Sequence, residues 1–371
     1  MKRFSGYLNV QANTVMARHE TLPLSALREQ SSESRFSHII LMCVLAYEGL
    51  GGILGGVLLV AAPDGRLMNL PVDILHGAFK NFLVPGSILL WLGLLTTFAF
   101  VMVLRRVAMD WVMAGISLGG FTIWFIVEIA ILDELHWLHL MWGIPVLVGL
   151  MALVPLIVKR NATATMQRIL LSTGIASSIW YIIINIYVPA QYDGYSMASL
   201  TVSELSAIDA PTRILWVLLV SIYPVLFAAF GVGVLNSAGE NRQLRVAGIM
   251  IIAYSVFNLY WPPMHMRGAT PTLSDLLHIV WASVTLLLMI AMMVLGAMAL
   301  GKTFRTYTAI SIGVHVIFGI LTFLQAPNIP VNGPTPTIGI LERINIVVFL
   351  LWVIVFATQL WQRPVHKKTR K

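Results

Sequence analysis

Glu48, Glu128, Ser221 and His315 each lie inside a long apolar run. An ionisable side chain in lipid costs several kcal/mol unless it is paired or sits in a wet cavity. Glu48 falls about a dozen residues into the first run, and Glu128 lies late in the third. At about 1.5 Å of rise per residue their depths differ by about 10 Å, so the two need not touch. One reading is a proton or cation site. The other is a protonated glutamate bonded to a neighbouring helix. His315 is near the middle of the ninth run, with Ser221 at similar depth in the sixth. A Ser–His pair would suit a membrane hydrolase, and a hydrogen-bonded structural histidine is the plainer reading.

A second group gathers at the mouths of later runs and in the loops between them: Glu204, Arg213, His265, Arg267, Asp275, His278, Glu342 and Arg343. Asp275 and His278 are three apart, so one helical face presents a carboxylate and an imidazole. Ser274 can cap that helix, and Asp275 suits its dipole. His278 sits a turn too deep for capping to explain it. Two histidines with carboxylates could hold zinc. The arginines favour an anionic group such as a lipid phosphate. A salt-bridge network latching the loops to the bundle needs no ligand at all. The expectation is that these groups converge on one outward-facing pocket between spans six, eight and ten. His136 and His139, after Asp133 and Glu134, form a weaker metal pair.

The elements that must position these residues are membrane helices. The chain has 371 residues, 58% hydrophobic and 11% charged. A soluble domain has about a quarter of its residues charged, and no soluble fold of this size could hide so much apolar surface. That excludes a cytosolic enzyme, a nucleic-acid-binding domain and a disordered chain. The one cysteine, Cys43, permits no intramolecular disulfide and no cysteine zinc site, and reads as a small buried hydrophobe. No Walker loop, dinucleotide fingerprint or redox cysteine pair is present, so no cofactor is expected beyond the zinc that the histidines leave open.

A membrane helix needs about 20 mostly apolar residues. Ten runs qualify: 37–61, 82–104, 109–132, 138–158, 166–188, 212–235, 245–260, 274–300, 304–324 and 338–361. The seventh is the shortest. The fold class is therefore all-α and polytopic. The polar loop at 159–168 divides four spans (37–158) from six (169–362), with a polar tail at 1–36 and a basic one at 363–371. About 35 polar residues precede the first run, which is not the order of a cleavable signal. Gly51, Gly52, Gly55 and Gly56, with Gly115 and Gly119, give the four-span part faces for close helix approach.

The loops alternate in charge. One set, including both tails, holds 19 of the 24 basic residues; the other keeps only Arg66, Lys80, Arg213, Arg267 and Arg343. The positive-inside rule puts both termini in the cytoplasm of a cell with this chain in its inner membrane. The net charge of +8 is then explained by topology and anionic lipid, with no role for nucleic acid.

The external loop SLTVSELSAIDAPTR, at 199–213, carries a family resemblance. It resembles the signature loop of the bacterial six-span family called domain of unknown function 998. The later segments RGATPTLSDLLH, KTFR and GILER are similar to that family in position and type. The resemblance spans about 165–362 and implies a six-helix membrane fold, with no reaction attached. The four-span part resembles no characterised family. The leading functional expectation is a non-enzymatic membrane protein that binds or senses a small or lipid ligand at the outer pocket. The alternatives are a proton- or ion-coupled transporter and an outward-facing metal- or Ser/His-dependent hydrolase.

Overall fold

The computed structural model describes residues 24–107, 109–132, 134–159 and 164–363. The tails at 1–23 and 364–371, and Asp133, lie outside them. The chain is a bundle of long helices: α1 Leu24–Ala61, α2 Leu83–Leu104, α3 Asp110–Leu132, α4 Trp137–Lys159 and α5 Ala164–Tyr187. Then come α6 Arg213–Val220, α7 Ile222–Ser237, α8 Arg242–Phe257, α9 Leu273–Ala299, α10 Lys302–Gln325 and α11 Ile338–Trp361. Among the described residues there is no strand, only one isolated bridge, Ile208 to His265.

Among the described residues nine segments are long and apolar enough to cross a membrane, counting α6 and α7 as one. The seventh run is the exception. Its helix α8 has only 16 residues, about 24 Å of rise. It nevertheless carries the chain across the bundle. The bridge from Ile208 to His265 puts the loops before α6 and after α8 on one face, here the long-loop face. The opposite, basic face carries Arg105, Arg106, Arg168, Arg242, Arg245, Lys302 and Arg305 at helix ends.

Local sequence explains the irregularities. The sixth run is two helices joined at Ser221, because Pro224 has no N–H for the Val220 carbonyl. The first helix starts at Leu24, so part of the stretch read as tail continues the first span. Cys43 corrects another expectation. It is exposed on the outside of α1, because Leu41, Val44 and Leu45 take the inward face.

Two packing styles make the core. Around α1 and α2 the backbones meet through glycine. A Cβ on Gly52 would stand 2.9 Å from the Gly93 Cα, and one on Gly56 would fall 2.6 Å from the Leu90 Cα. Only glycine tolerates such approach. The later helices instead fill their centre with rings. Phe227, Phe230, Phe349, Trp352 and Phe356 are all buried, with Trp352 and Phe356 stacked at 4.9 Å. The indole of Trp352 donates to Thr308 Oγ1 at 2.9 Å. Leu170 and Val232 pack into the same cluster as Leu41, Leu118 and Phe121, so apolar contact runs unbroken between the two parts.

Candidate functional site: a polar seam on the long-loop face

The residues expected to form one pocket fall into two linked knots. The first is centred on Glu204. A short 3-10 turn, Ser203–Ser206, holds it. Thr201 donates to its Oε2 from the backbone N–H at 2.6 Å and from the hydroxyl at 2.9 Å. Arg267, on the loop after α8, grips both carboxylate oxygens through Nε and Nη2. The same guanidinium donates to the Ser199 carbonyl at 2.8 Å and to Thr335 Oγ1 at 2.7 Å. Thr335 in turn donates to Ser199 at 2.8 Å. Glu204 is 4% exposed, so its charge is matched by Arg267 almost without water.

The start of α11 joins this knot. Glu342 Oε2 accepts from the Val202 N–H at 2.5 Å. Arg343 turns the other way. Its Nη1 reaches the carbonyls of Met197 at 3.0 Å and Leu200 at 3.2 Å, and its Nη2 donates to the Tyr195 hydroxyl at 2.8 Å. Burial pushes the Tyr195 phenol up to about 12, against the opposing pull of Arg343. The phenol remains a donor and bonds the Thr201 carbonyl at 2.6 Å. Gly339 is required here. The Leu200 and Met197 carbonyl oxygens stand where its Cβ would be. Its N–H donates to Ala198 at 2.9 Å.

The second knot ties the loop after α8 to the start of α9. Asp275 accepts from the His265 N–H at 2.7 Å and faces His265 Nδ1 at 2.9 Å. It also accepts from the Thr272 N–H at 2.8 Å and the Thr272 hydroxyl at 3.0 Å. Thr272, not Ser274, is the cap. It forms a capping box with Asp275, while the Ser274 hydroxyl donates to the Pro263 carbonyl at 2.5 Å. His278 is buried against the same loop. Its Nδ1 is 2.7 Å from the Pro262 carbonyl, which can only accept, so that nitrogen carries the proton. The Trp261 N–H, 3.0 Å from Nδ1 and 3.4 Å from Nε2, then finds its acceptor at Nε2. Both ring nitrogens are therefore engaged by the loop. Arg213 opens α6 on this face, half-buried.

The knots are joined through 265–267, where His265 serves one and Arg267 the other. Among the described residues no three His, Cys, Asp or Glu side chains gather as a metal set. Sequence reasoning missed Tyr195, Ser199, Thr201, Trp261, Thr272 and Thr335. Two of these were signalled. TVSE at 201–204 and TLSD at 272–275 both follow the Thr-x-x-acid pattern.

The residues within spans behave differently from one another. His315 Nδ1 faces the Asn345 carbonyl at 3.1 Å, and Asn345 Nδ2 donates back to the His315 carbonyl at 2.5 Å. This clamps α10 to α11. Ser221 donates to the Leu218 carbonyl at 2.8 Å, and His315 Nε2 has no hydrogen-bond partner among the described residues, so the Ser–His pair is not formed. Glu128 stands 3.7 Å from His139, whose Nδ1 accepts from the His136 N–H at 3.0 Å. Glu48 is 1% exposed, and neither carboxyl oxygen has a hydrogen-bond partner among the described residues.

Residues 175–359 match the model of a family described as a protein of unknown function (DUF998). The resemblance carried by the 199–213 loop is thereby shown for the C-terminal part, and the N-terminal half matches no family. No curated protein and no solved structure matches the chain. The protein is a multi-pass membrane protein whose C-terminal family has no assigned reaction.

Proposed function

We propose that this is a non-enzymatic membrane protein that binds or senses a small or lipid anion at the polar seam of its long-loop face. The observation behind the reading is the nearly buried Glu204–Arg267 pair, which joins the loops before α6, after α8 and before α11. Holding loops with charge rather than apolar contact is costly, but it makes them releasable. An anion competing for Arg267 or Arg343 loosens the loops it displaces. His278→Ala and Glu342→Ala in the full chain should impair stabilisation or loosening by short-chain phosphatidic acid. Asp73→Ala, on the same face but in the N-terminal part, should not. Equal responses in all three variants would remove the reading.

In this proposal the long-loop face is external and both termini are cytoplasmic. The support is the charge alternation of the loops. Cysteines placed at Ser199 and Asn332 should react with an impermeant reagent on intact cells. Reaction only after the membrane is opened would reverse the orientation.

Glu48 favours a second reading, a proton- or ion-coupled carrier. A carboxyl with both oxygens unpartnered and 1% exposure is either neutral or waiting for a cation. A hydrophobic carbodiimide, which adds to a protonated carboxyl in lipid, should modify Glu48. Labelling unchanged in Glu48→Gln would exclude that position.

A further inference from the structure

On the opposite, basic face a cavity of about 470 Å³ opens between the first turns of α5 and the end of α11. Arg168 and Arg363 lie on its wall, with Gln167, Leu171 and Trp361. Among the described residues no acidic side chain lines it. Among the described residues neither arginine has a carboxylate partner. The Arg168 guanidinium is instead held 5.0 Å over the Trp361 ring. That contact steadies the planar fork without neutralising it. Gln167 is buried and fixed by its 2.9 Å bond to Ser237, so the wall beneath the arginines is preset. The positive end of the α5 dipole faces the same space.

The rest of the wall is Ala164, Leu171 and Trp361, with the Gln362 amide beside them. Leu171 is fully buried and belongs to the ring-filled core, while Trp361 is 42% exposed at the helix end. An indole so placed marks the depth of lipid headgroups. The cavity thus combines two guanidinium groups that have no carboxylate among the described residues with a partly apolar wall, at the level where a phospholipid carries its phosphate.

We propose that this cavity binds the phosphate of an anionic phospholipid headgroup, with Arg168 and Arg363 as the ligating pair. The acyl chains then lie along the groove between α5 and α11. The site lies on the opposite face from the seam and does not depend on its function. A free phosphate ion offers the same oxygens to the same arginines, so the test separates the two sources.

The experiment follows thermal unfolding of the full chain in detergent during titration with phosphatidylglycerol, phosphatidylcholine or inorganic phosphate. Phosphatidylglycerol should raise the midpoint well above phosphatidylcholine. Arg168→Gln with Arg363→Gln should weaken its apparent affinity about tenfold or more, because two charge-assisted contacts are lost. Arg105→Gln with Arg106→Gln removes the same charge from the same face but lines no part of the cavity, and should leave the affinity nearly unchanged. If the first double variant does not fold, Arg168→Lys serves, keeping the charge and losing the fork, with a smaller weakening. Equal loss in both double variants would mean general surface attraction and overturn the site. Equal response to the two lipids would do the same. Saturation by inorganic phosphate, blocking the lipid effect, would overturn the lipid as its occupant.

Discussion

Glu204 and Glu48 are both carboxyl groups almost removed from water, in the C-terminal and N-terminal parts of the same bundle. Glu204 accepts from a backbone N–H, a threonine hydroxyl and an arginine. Glu48 accepts from nothing among the described residues. The packing differs in parallel. Helices α1 and α2 touch through glycine, whereas α7, α10 and α11 meet through stacked rings. In the C-terminal part polar groups build the structure, so the same residues cannot also be idle ligands. In the N-terminal part close backbone packing builds the structure, and of its two buried carboxyls Asp110 accepts from the Trp111 N–H whereas Glu48 is left over among the described residues. A polar group that contributes nothing to stability is a candidate for a task of its own, which is why Glu48 carries the second reading.

The largest expected effect breaks the knot at its cation. Arg267→Met leaves Glu204 buried without a counter-charge and should cost about 3–5 kcal/mol. It should appear as an early unfolding transition followed by tryptophan fluorescence in detergent. Adding Glu204→Gln should recover part of the loss, since the orphaned charge is then gone. Recovery absent from the double variant would mean that Arg267 acts through Thr335 and Ser199 alone.

Packing supplies the next test. A side chain at Gly93 meets the backbone of Gly52 and Ile53 with no room to move. Gly93→Val should push α2 from α1 and cost about 3 kcal/mol, near the upper end for overpacked cores. Gly313, with open space where its Cβ would be, is the control, and Gly313→Ala should be nearly neutral. If both variants unfold alike, the glycine contact is not what holds the N-terminal helices together.

The comparison sharpens most where the sign changes. Glu48→Leu removes an unpartnered buried carboxyl and should raise stability by about 1–3 kcal/mol. Any truncation of Glu204 should lower it. A stabilised Glu48→Leu protein that loses function in cells would mark Glu48 as retained for a task rather than for the fold. A destabilised one would reveal a bond in the folded protein that the structure does not contain.

Much of this was written in the sequence at the level of spans, because hydropathy fixes where a helix can cross lipid. The breaks were less visible. Pro224 stands in the sixth run, yet apolar composition continues through it and hides the joint at Ser221. Cys43 was misplaced because a run that is apolar all round does not announce which face turns inward. The seam was half legible. Residue type and depth selected Glu204, Arg267, Glu342 and Arg343, but 63 residues separate Glu204 from Arg267, and no periodicity encodes a meeting between loops. His278 was seen as too deep for a cap. Its partners, Trp261 and Pro262, belong to the loop after α8 that packs down against α9, and spacing along the chain does not encode that meeting.

The smallest expected effect concerns the choice between Thr272 and Ser274 at the start of α9. Either hydroxyl could have capped the helix by spacing alone. The box requires an acid three residues on, and only Thr272 has one, at Asp275. Asp275 also holds His265, so the cap and the loop share one carboxylate. Thr272→Ala removes the hydroxyl's bond to Asp275 and the side-chain half of the box while leaving the Thr272 N–H on Asp275, and should cost about 1 kcal/mol, the usual worth of an N-cap. Ser274→Ala removes a single bond to the Pro263 carbonyl and should cost about half as much or less, within the ordinary range for one hydrogen bond. The order of the two is the informative result. If Ser274→Ala is the more damaging, the loop is fixed to α9 through Pro263 rather than through Asp275. The second knot would then be a contact of the loop alone, and His265 would no longer connect it to Arg267.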